Sequence, residues 1–497
     1  MPERRPVPKR STLLRCLTVL GLALGMSAAA NSGAEPSAAA KGARVLTAEA
    51  VLAASARAVP TILEARSQRE AVVARRLAAE GGFDRTLSQG TRQWVLGDYD
   101  GFDADLKLTQ PLATLGGDLT AAYRISDGSF PRYETERQTL GGGELSLGLT
   151  IPLLQDRTLD DRRFARRDAT LAIAEADASL FQTQLDVQHD ALIAYWRWVA
   201  AGRKLTIFEK LLAIAEERDR AFRAQSAVGD IAEIAVVENQ QNLLKRRQLA
   251  RRAARDFTLA ATDLSFFLRD DKGAMQPVEA TALPPAFPPI EGKEAKLPPA
   301  RLAAIIEATP TLQALAQKAQ RLRLKRNLAQ NDLRPELDFS LKLAKDLGQG
   351  PRTLNGNDVI TGFEFSLPLQ RRKARGAQEE AEAALQAVTF RQARETDGLR
   401  LAILRLQETV AAAADFAALA DQEADAAETL EAAEWVKFRE GASSFFILNA
   451  REENTADARV RALDAQLAFQ QAVADFALVT ADRGRLGLTS PAPPEAP

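Results

Sequence analysis

The sequence predicts a mainly α chain with a smaller β part, built as two similar halves. Three observations predict it. Two proline-free stretches of about 120 residues, Pro152 to Pro277 and Pro368 to Pro491, are filled with Ala, Leu, Glu, Arg and Gln, the residues long helices favour. Just before each stretch lies a pair of segments in which apolar and polar residues alternate. Landmarks of the first half then recur in the second. Ala58-Val59-Pro60-Thr61 resembles Ala308-Thr309-Pro310-Thr311, each inside a predicted helix, and Gly229 and Gly441 each interrupt a helical pattern late in their half.

Composition narrows the function classes. The chain has 497 residues, is 46% hydrophobic and only 6% aromatic, and is too apolar to be disordered throughout. Lys plus Arg is 65 against 66 for Asp plus Glu, a net charge of -1 that argues against a nucleic-acid partner. One Cys and one His exclude a Cys/His zinc site and a disulfide framework. No G-x-x-x-x-G-K-[ST] loop is present, so ATP hydrolysis by the chain is not expected. No cofactor, metal or catalytic residue is predicted, and the chain is not expected to be an enzyme.

Residues 1–30 read as a secretory signal. Arg4, Arg5, Lys9, Arg10 and Arg15 precede a short apolar run, Leu17 to Met26, and Ala28-Ala29-Ala30 supplies small residues for cleavage; Ala38-Ala39-Ala40 is a second option. Cys16 follows Arg15 rather than a small residue, so it is not read as a lipid anchor. It leaves with the signal. No later segment has 18 consecutive apolar residues, so no transmembrane helix is expected. Residues 31–46 and 490–497 read as disordered. The first repeat covers 47–275, a proline-rich linker 276–299, and the second repeat 300–489.

Four segments carry period two. They are Asp118–Ile125, Glu144–Ile151, Leu337–Leu343 and Phe363–Leu369, each with one apolar and one polar face. The stretches Asp127–Gln138 and Gly348–Asp358 between them are polar and suit surface loops. The offset between matching landmarks falls from 250 residues at Pro60 to 216 at Pro152, which places an insertion in the first half. Its core is the alternating run Ala104–Leu108. Alternation alone suits a soluble sheet packed on one face. Strands of about ten residues can also cross an outer membrane. An open four-stranded sheet would leave unpaired backbone groups in lipid, so spanning strands would have to be shared among copies, and three copies would give twelve.

The helical patterns run from about Leu159 to Ala227 and from Arg371 to Glu440, about 100 Å each at 1.5 Å per residue. Return helices follow, from about Ile231 to Leu268 and Ser444 to Leu486. Leu171, Ala178, Leu185, Leu192 and Val199 repeat every seven residues, with Ala174, Phe181 and Tyr195 at the companion spacing. Leu399, Ile403, Leu406, Val410, Ala413 and Ala417 step by four and three. These are coiled-coil seams.

In this order and spacing the pieces resemble the TolC-type outer-membrane efflux and secretion channels, over about Thr47 to Leu488. The strand-to-helix transitions Leu149-Thr150-Ile151-Pro152-Leu153 and Ser366-Leu367-Pro368-Leu369, and the basic–aromatic–x–x–Gly run Lys437-Phe438-Arg439-Glu440-Gly441, carry the resemblance. It implies a homotrimer whose four transmembrane strands per chain form a 12-stranded β-barrel in the outer membrane lipid, above an α-helical tunnel of antiparallel coiled-coil helices in the periplasm. It implies passive export gated at the periplasmic helix tips, with a periplasmic adaptor (membrane fusion protein) and an inner-membrane pump as partners.

The tips fall at Val228, Gly229 and Asp230 and at Glu440, Gly441, Ala442 and Ser443. With Lys437 and Phe438 these are the adaptor-contacting candidates. Gln225-Ser226 stands where the first tip would carry a basic–aromatic pair. At the positions where some members place gate acids, the second half has Ile447 and Ala450 with Asn449 nearby, and the first half has Ala235 and Glu238. Glu238 and Asn449 are the pore-constriction candidates. His189 reads as a solvated or seam residue, Arg246-Arg247 and Arg251-Arg252 as a solvated helix face, and Tyr195, Trp196 and Trp198 as packing anchors. The main alternative is a soluble periplasmic coiled-coil scaffold; a hydrolase using paired carboxylates is a distant third.

Overall fold

The computed structural model describes residues 45–270, 272–290 and 297–488. The predicted signal and nearly all of the N-terminal segment and C-terminal tail lie outside them. Each half opens with two short helices: α1 (Ala48–Ala58) and α2 (Pro60–Glu80), then α5 (Pro299–Glu307) and α6 (Pro310–Asn331). Pro60 and Pro310 do not lie inside a helix, as the sequence suggested. Each starts one, because a first-turn position needs no backbone N–H donor. The long helices are α3 (Asp161–Ala227) and α7 (Arg372–Arg439), with return helices α4 (Glu233–Ser265) and α8 (Phe445–Val479). Asp160 caps α3 by accepting from the Arg163 N–H at 2.7 Å. The return helix α8 ends before Leu486, because Ala481 turns into the left-handed region (φ 52°).

The sheet corrects the strand count. It has six strands, not four: β1 (Thr86–Gln93), β2 (Phe102–Pro111), β3 (Asp118–Asp127), β4 (Glu144–Pro152), β5 (Glu336–Asp346) and β6 (Asn357–Ser366). They lie in sequence order, every neighbour antiparallel, and β4 beside β5 joins the halves. The insertion is therefore a hairpin, β1–β2, whose second strand contains the alternating run at Ala104–Leu108. Period two could not reveal β1, where Leu87 is the one large apolar residue. β6 also starts earlier than expected and stops at Ser366. Pro368 has no N–H for a ladder, so the chain leaves the sheet there.

Two apolar clusters hold the helices at mid-length. One gathers Val51 and Leu52 of α1, Leu185, Trp198 and Val199 of α3, Leu264 of α4, Ala474 of α8 and Leu486. The Trp198 ring is fully buried and stacks on Phe257 at 6.1 Å, so Tyr195, Trp196 and Trp198 act as packing anchors. The linker takes part: Phe287 stacks on Trp196 at 5.6 Å, and the Leu46 N–H donates to the Ala282 carbonyl at 2.9 Å. The linker also carries a short helical turn at Ala280–Ala282, so it is not uniformly extended. The second cluster joins Ile306 of α5, Ile403 and Val410 of α7, and Phe469 and Phe476 of α8. Ala178, Leu185, Leu192 and Val199 are buried, as are Ile403, Val410, Ala413 and Ala417, where the heptad steps placed the seams.

At the junction of β4 and α3, Asp156 exchanges hydrogen bonds with Asn331: its N–H donates to Oδ1 at 3.1 Å, and its Oδ1 accepts from Nδ2 at 2.8 Å. Burial pushes the Asp156 carboxyl up to about 6, the Asn331 bond opposes this, and Asp332, Asp160 and Asp161 add to it. The folded state therefore holds this proton more tightly than the unfolded chain, where the ordinary value is 3.8. Its contribution to stability is greatest below about pH 4 and is lost as pH rises through 6. Asp156→Asn keeps an oxygen acceptor without the charge. It is expected to melt above the parent at pH 8 and level with it at pH 4, in paired thermal scans.

Candidate functional site

The sheet presents two chemically distinct faces. One row crosses all six strands in register: Leu87, Leu108, Ala121, Leu147, Leu343 and Val359. Tyr123, Ile125, Leu145, Phe363 and Phe365 lie on the same face and are exposed. Soluble chains rarely leave so broad an apolar face uncovered. The next row, on the opposite face, is Thr86, Thr109, Thr120, Gly148, Lys342 and Ile360. That face also carries Asp103, Arg124 and Glu144. Glu144 accepts from Arg124 at 2.7 Å and from Lys342 at 2.8 Å. Aromatic residues gather at both ends of the apolar band: Phe339 and Phe363, 5.3 Å apart, toward the helices, and Trp94 and Tyr99, 6.3 Å apart, in the β1–β2 turn. Outer-membrane strands show this alternation and these aromatic borders.

Both helix tips close by one geometry. After α3, Val228 leaves the helix and Gly229 takes φ 84°. The Gly229 N–H donates to Ser226 O at 3.0 Å and the Asp230 N–H to Gln225 O at 3.0 Å. After α7, Gly441 takes φ 75°, with its N–H on Phe438 O at 3.1 Å and the Ala442 N–H on Lys437 O at 2.9 Å. This pair of bonds is the Schellman closure, which needs a left-handed residue. A Cβ at either glycine would meet nothing within 4 Å, so the cost of a side chain there is purely conformational. Gly229→Ala and Gly441→Ala are each expected to cost about 1–2 kcal/mol, read from thermal unfolding.

The two tips are neighbours. Phe222 of α3 meets Phe445 of α8 edge to face at 5.1 Å, and the Arg218 guanidinium lies over Phe445 at 5.2 Å. Val228, Ile234, Val237, Trp435, Phe446 and Ile447 are exposed around them. Lys437 is exposed, Phe438 is half-buried, and Ser443 donates to the buried Glu434. Glu238 is exposed on α4. Asn449 is not an open polar position: its Oδ1 accepts from Arg246 Nη2 at 2.6 Å.

That contact belongs to a buried ion cluster the sequence did not reveal. Arg246 of α4 is 1% exposed and Glu452 of α8 is 3% exposed. Arg246 Nη2 donates to Glu452 Oε2 at 2.8 Å, Arg246 Nη1 to Leu211 O at 3.3 Å, and Arg218 Nη1 to Glu452 Oε2 at 3.1 Å. Arg218 Nη2 completes a fork on Glu452. Arg246 therefore does not belong to a solvated face: its charge is matched by a carboxylate on another helix. Arg247, Arg251 and Arg252 are exposed. His189 is a seam residue, with Nε2 2.7 Å from Asp475 and Nδ1 3.0 Å from Asp190. Among the described residues no cluster of metal-ligating side chains occurs and no helix is long and apolar enough to cross a membrane.

No family model and no curated protein matches the chain. Solved structures do. The chain is similar to a membrane protein from Pseudomonas aeruginosa (TM-score 0.62, 12% identity, covering 88% of this chain and 91% of that one). It is similar to the CmeC outer membrane channel of Campylobacter jejuni (0.63, 12%, 92% and 93%). It is also similar to the MtrE outer membrane channel of Neisseria gonorrhoeae, solved in its open state (0.63, 13%, 89% and 89%). At such identities the likeness establishes the fold.

Proposed function

We propose that this chain, which has the TolC-type outer-membrane channel fold, is the outer-membrane channel of a tripartite efflux or type I secretion system. Three copies close one barrel in lipid and one helical tunnel in the periplasm. The observation that carries the reading is the sheet: an exposed apolar face, a polar opposite face, and two unpaired edges, set on helices of about 100 Å. The polar face lines a water-filled lumen, through which solutes pass without covalent chemistry.

The exposed residues around Gly229 and Gly441, with Lys437 and Phe438, form the docking surface for the adaptor, which links the tunnel to an inner-membrane pump. The domain boundaries follow the same reading, with residues 1–30 as the export signal. Glu238 is the acidic candidate at the constriction, where a ring of three carboxylates would favour cations. Glu238→Gln is expected to lower the cation-to-anion permeability ratio, read as a shifted reversal potential in planar bilayers under a salt gradient. An unchanged potential removes Glu238 from the pore.

The test of the whole reading is the native mass of the mature protein extracted from membranes. Three protomers, recovered only with detergent, support the channel. A monomer or dimer soluble without detergent replaces it with the periplasmic scaffold.

A further inference from the structure

We propose that β1 of one copy pairs with β6 of the next, so that the inserted hairpin β1–β2 is part of the barrel wall and three copies close an 18-stranded barrel. The inference rests on the channel reading above and adds its wall and its subunit seam.

Four observations carry it. First, β1 is paired with β2 along its whole length, from Thr86 opposite Thr109 to Gln93 opposite Phe102, and β2 continues into β3 without a break. Second, both faces of the sheet continue into the hairpin. On β2, Leu106 and Leu108 extend the apolar face while Asp103, Asp105 and Lys107 extend the polar one; β1 adds Leu87 to the apolar row, followed by Gln89, Thr91 and Gln93. Third, the hairpin's turn is tied level with the β3–β4 loop. Asp100 Oδ1 accepts from the Ser129 N–H at 2.9 Å and from its hydroxyl at 2.7 Å, and Arg137 pairs with Asp103 at 3.5 Å. A hairpin folded away from the wall would break these bonds. Fourth, the sheet ends on two bare edges. β6 has no proline and leaves Val359 66% and Phe363 70% exposed, and β1 has no proline either. Soluble proteins protect such edges; lipid does not tolerate them at all.

Direction and width agree. In an antiparallel meander of six, the first and last strands run in opposite directions, so β6 meets the next β1 antiparallel. Six strands about 4.8 Å apart, tilted by about 40°, occupy about 38 Å of circumference. The four helices that adjoin the sheet, α2, α3, α6 and α7, packed side by side about 9–10 Å apart, occupy about 36–40 Å.

Cysteine pairs test the seam in full-length protein in native membranes, with Cys16→Ser as background. Ser88→Cys on β1 is combined in turn with Asp358→Cys, Ile360→Cys and Glu364→Cys on β6, all on the polar face. Ala122→Cys on β3 is combined with the same three. A short bifunctional methanethiosulfonate is added and the products are separated in denaturing gels. At least one Ser88 pair is expected to give covalent dimers and trimers, and the Ala122 pairs only monomer. A ladder from an Ala122 pair would overturn the proposal, because it places β3 at the seam and restores a 12-stranded wall. No ladder from any Ser88 pair, in protein whose native mass is three protomers, would overturn it too. A monomeric native mass overturns the barrel reading itself, and the seam with it.

Discussion

Glu452→Ala is expected to destabilise the attachment of α8 to α3 and α4 by about 3–5 kcal/mol, the range for removing one partner of a buried ion pair. The carboxylate sits between two guanidiniums, Arg218 and Arg246, and all three groups are largely shielded from water. Alanine leaves two cations near one another with Asn449 and a backbone carbonyl as the remaining acceptors of Arg246. Neither acceptor carries a charge. Glu452→Gln keeps the shape and one oxygen acceptor, so its loss should be smaller. The measurement is thermal unfolding followed by helical circular dichroism, together with limited proteolysis near the tips. Glu452→Ala should melt earlier and be cut first near the tips. A melting point equal to the parent's would show that the cluster adds nothing to the packing of α8.

Leu147→Arg is expected to cost about 2–4 kcal/mol in lipid, the range for a cation on the membrane face of a barrel strand near mid-depth. Leu147 is 48% exposed and lies in the apolar row that crosses the whole sheet. Its neighbour Ser146 points to the polar face, opposite Ala122 and Ala344. Ser146→Arg would project into water and should change stability by less than about 0.5 kcal/mol. The readout is recovery of detergent-stable trimer from the outer-membrane fraction. Leu147→Arg should lose most of it and Ser146→Arg should not. The reverse order would show that the apolar face meets water rather than lipid, and would support the soluble scaffold.

Much of the architecture was legible because its signals are local. The far ends of the long helices follow from Gly229 and Gly441 as stops, whereas the Asp160 cap and the starts at Pro60 and Pro310 show only in the structure. Each glycine acts through its own backbone geometry within one turn. The seam positions Leu185, Val199, Ile403 and Val410 follow from a repeat that needs no knowledge of the partner helix. The polar–apolar alternation of β3, β4 and β5 follows from the strand period.

What was missed depends on residues far apart in the chain. Glu452 and Arg246 look alike any surface charges in sequence. Their burial is decided by the approach of α4 to α8, between residues 206 positions apart. Asn449, a candidate lumen residue by spacing, is drawn into the same cluster. Phe287, inside a proline-rich stretch that reads as linker, is buried because Trp196 offers it a ring.

The sequence by itself determined a duplicated chain of long helix pairs with alternating strands before them, because periodicity and capping are properties of a single segment. The tertiary structure alone decided that the sheet formed by the described residues has six strands. Thr86–Gln93 has almost no apolar pattern and becomes a strand through the backbone hydrogen bonds that β2 offers it, and a segment's own residues do not encode the donors and acceptors of its neighbour.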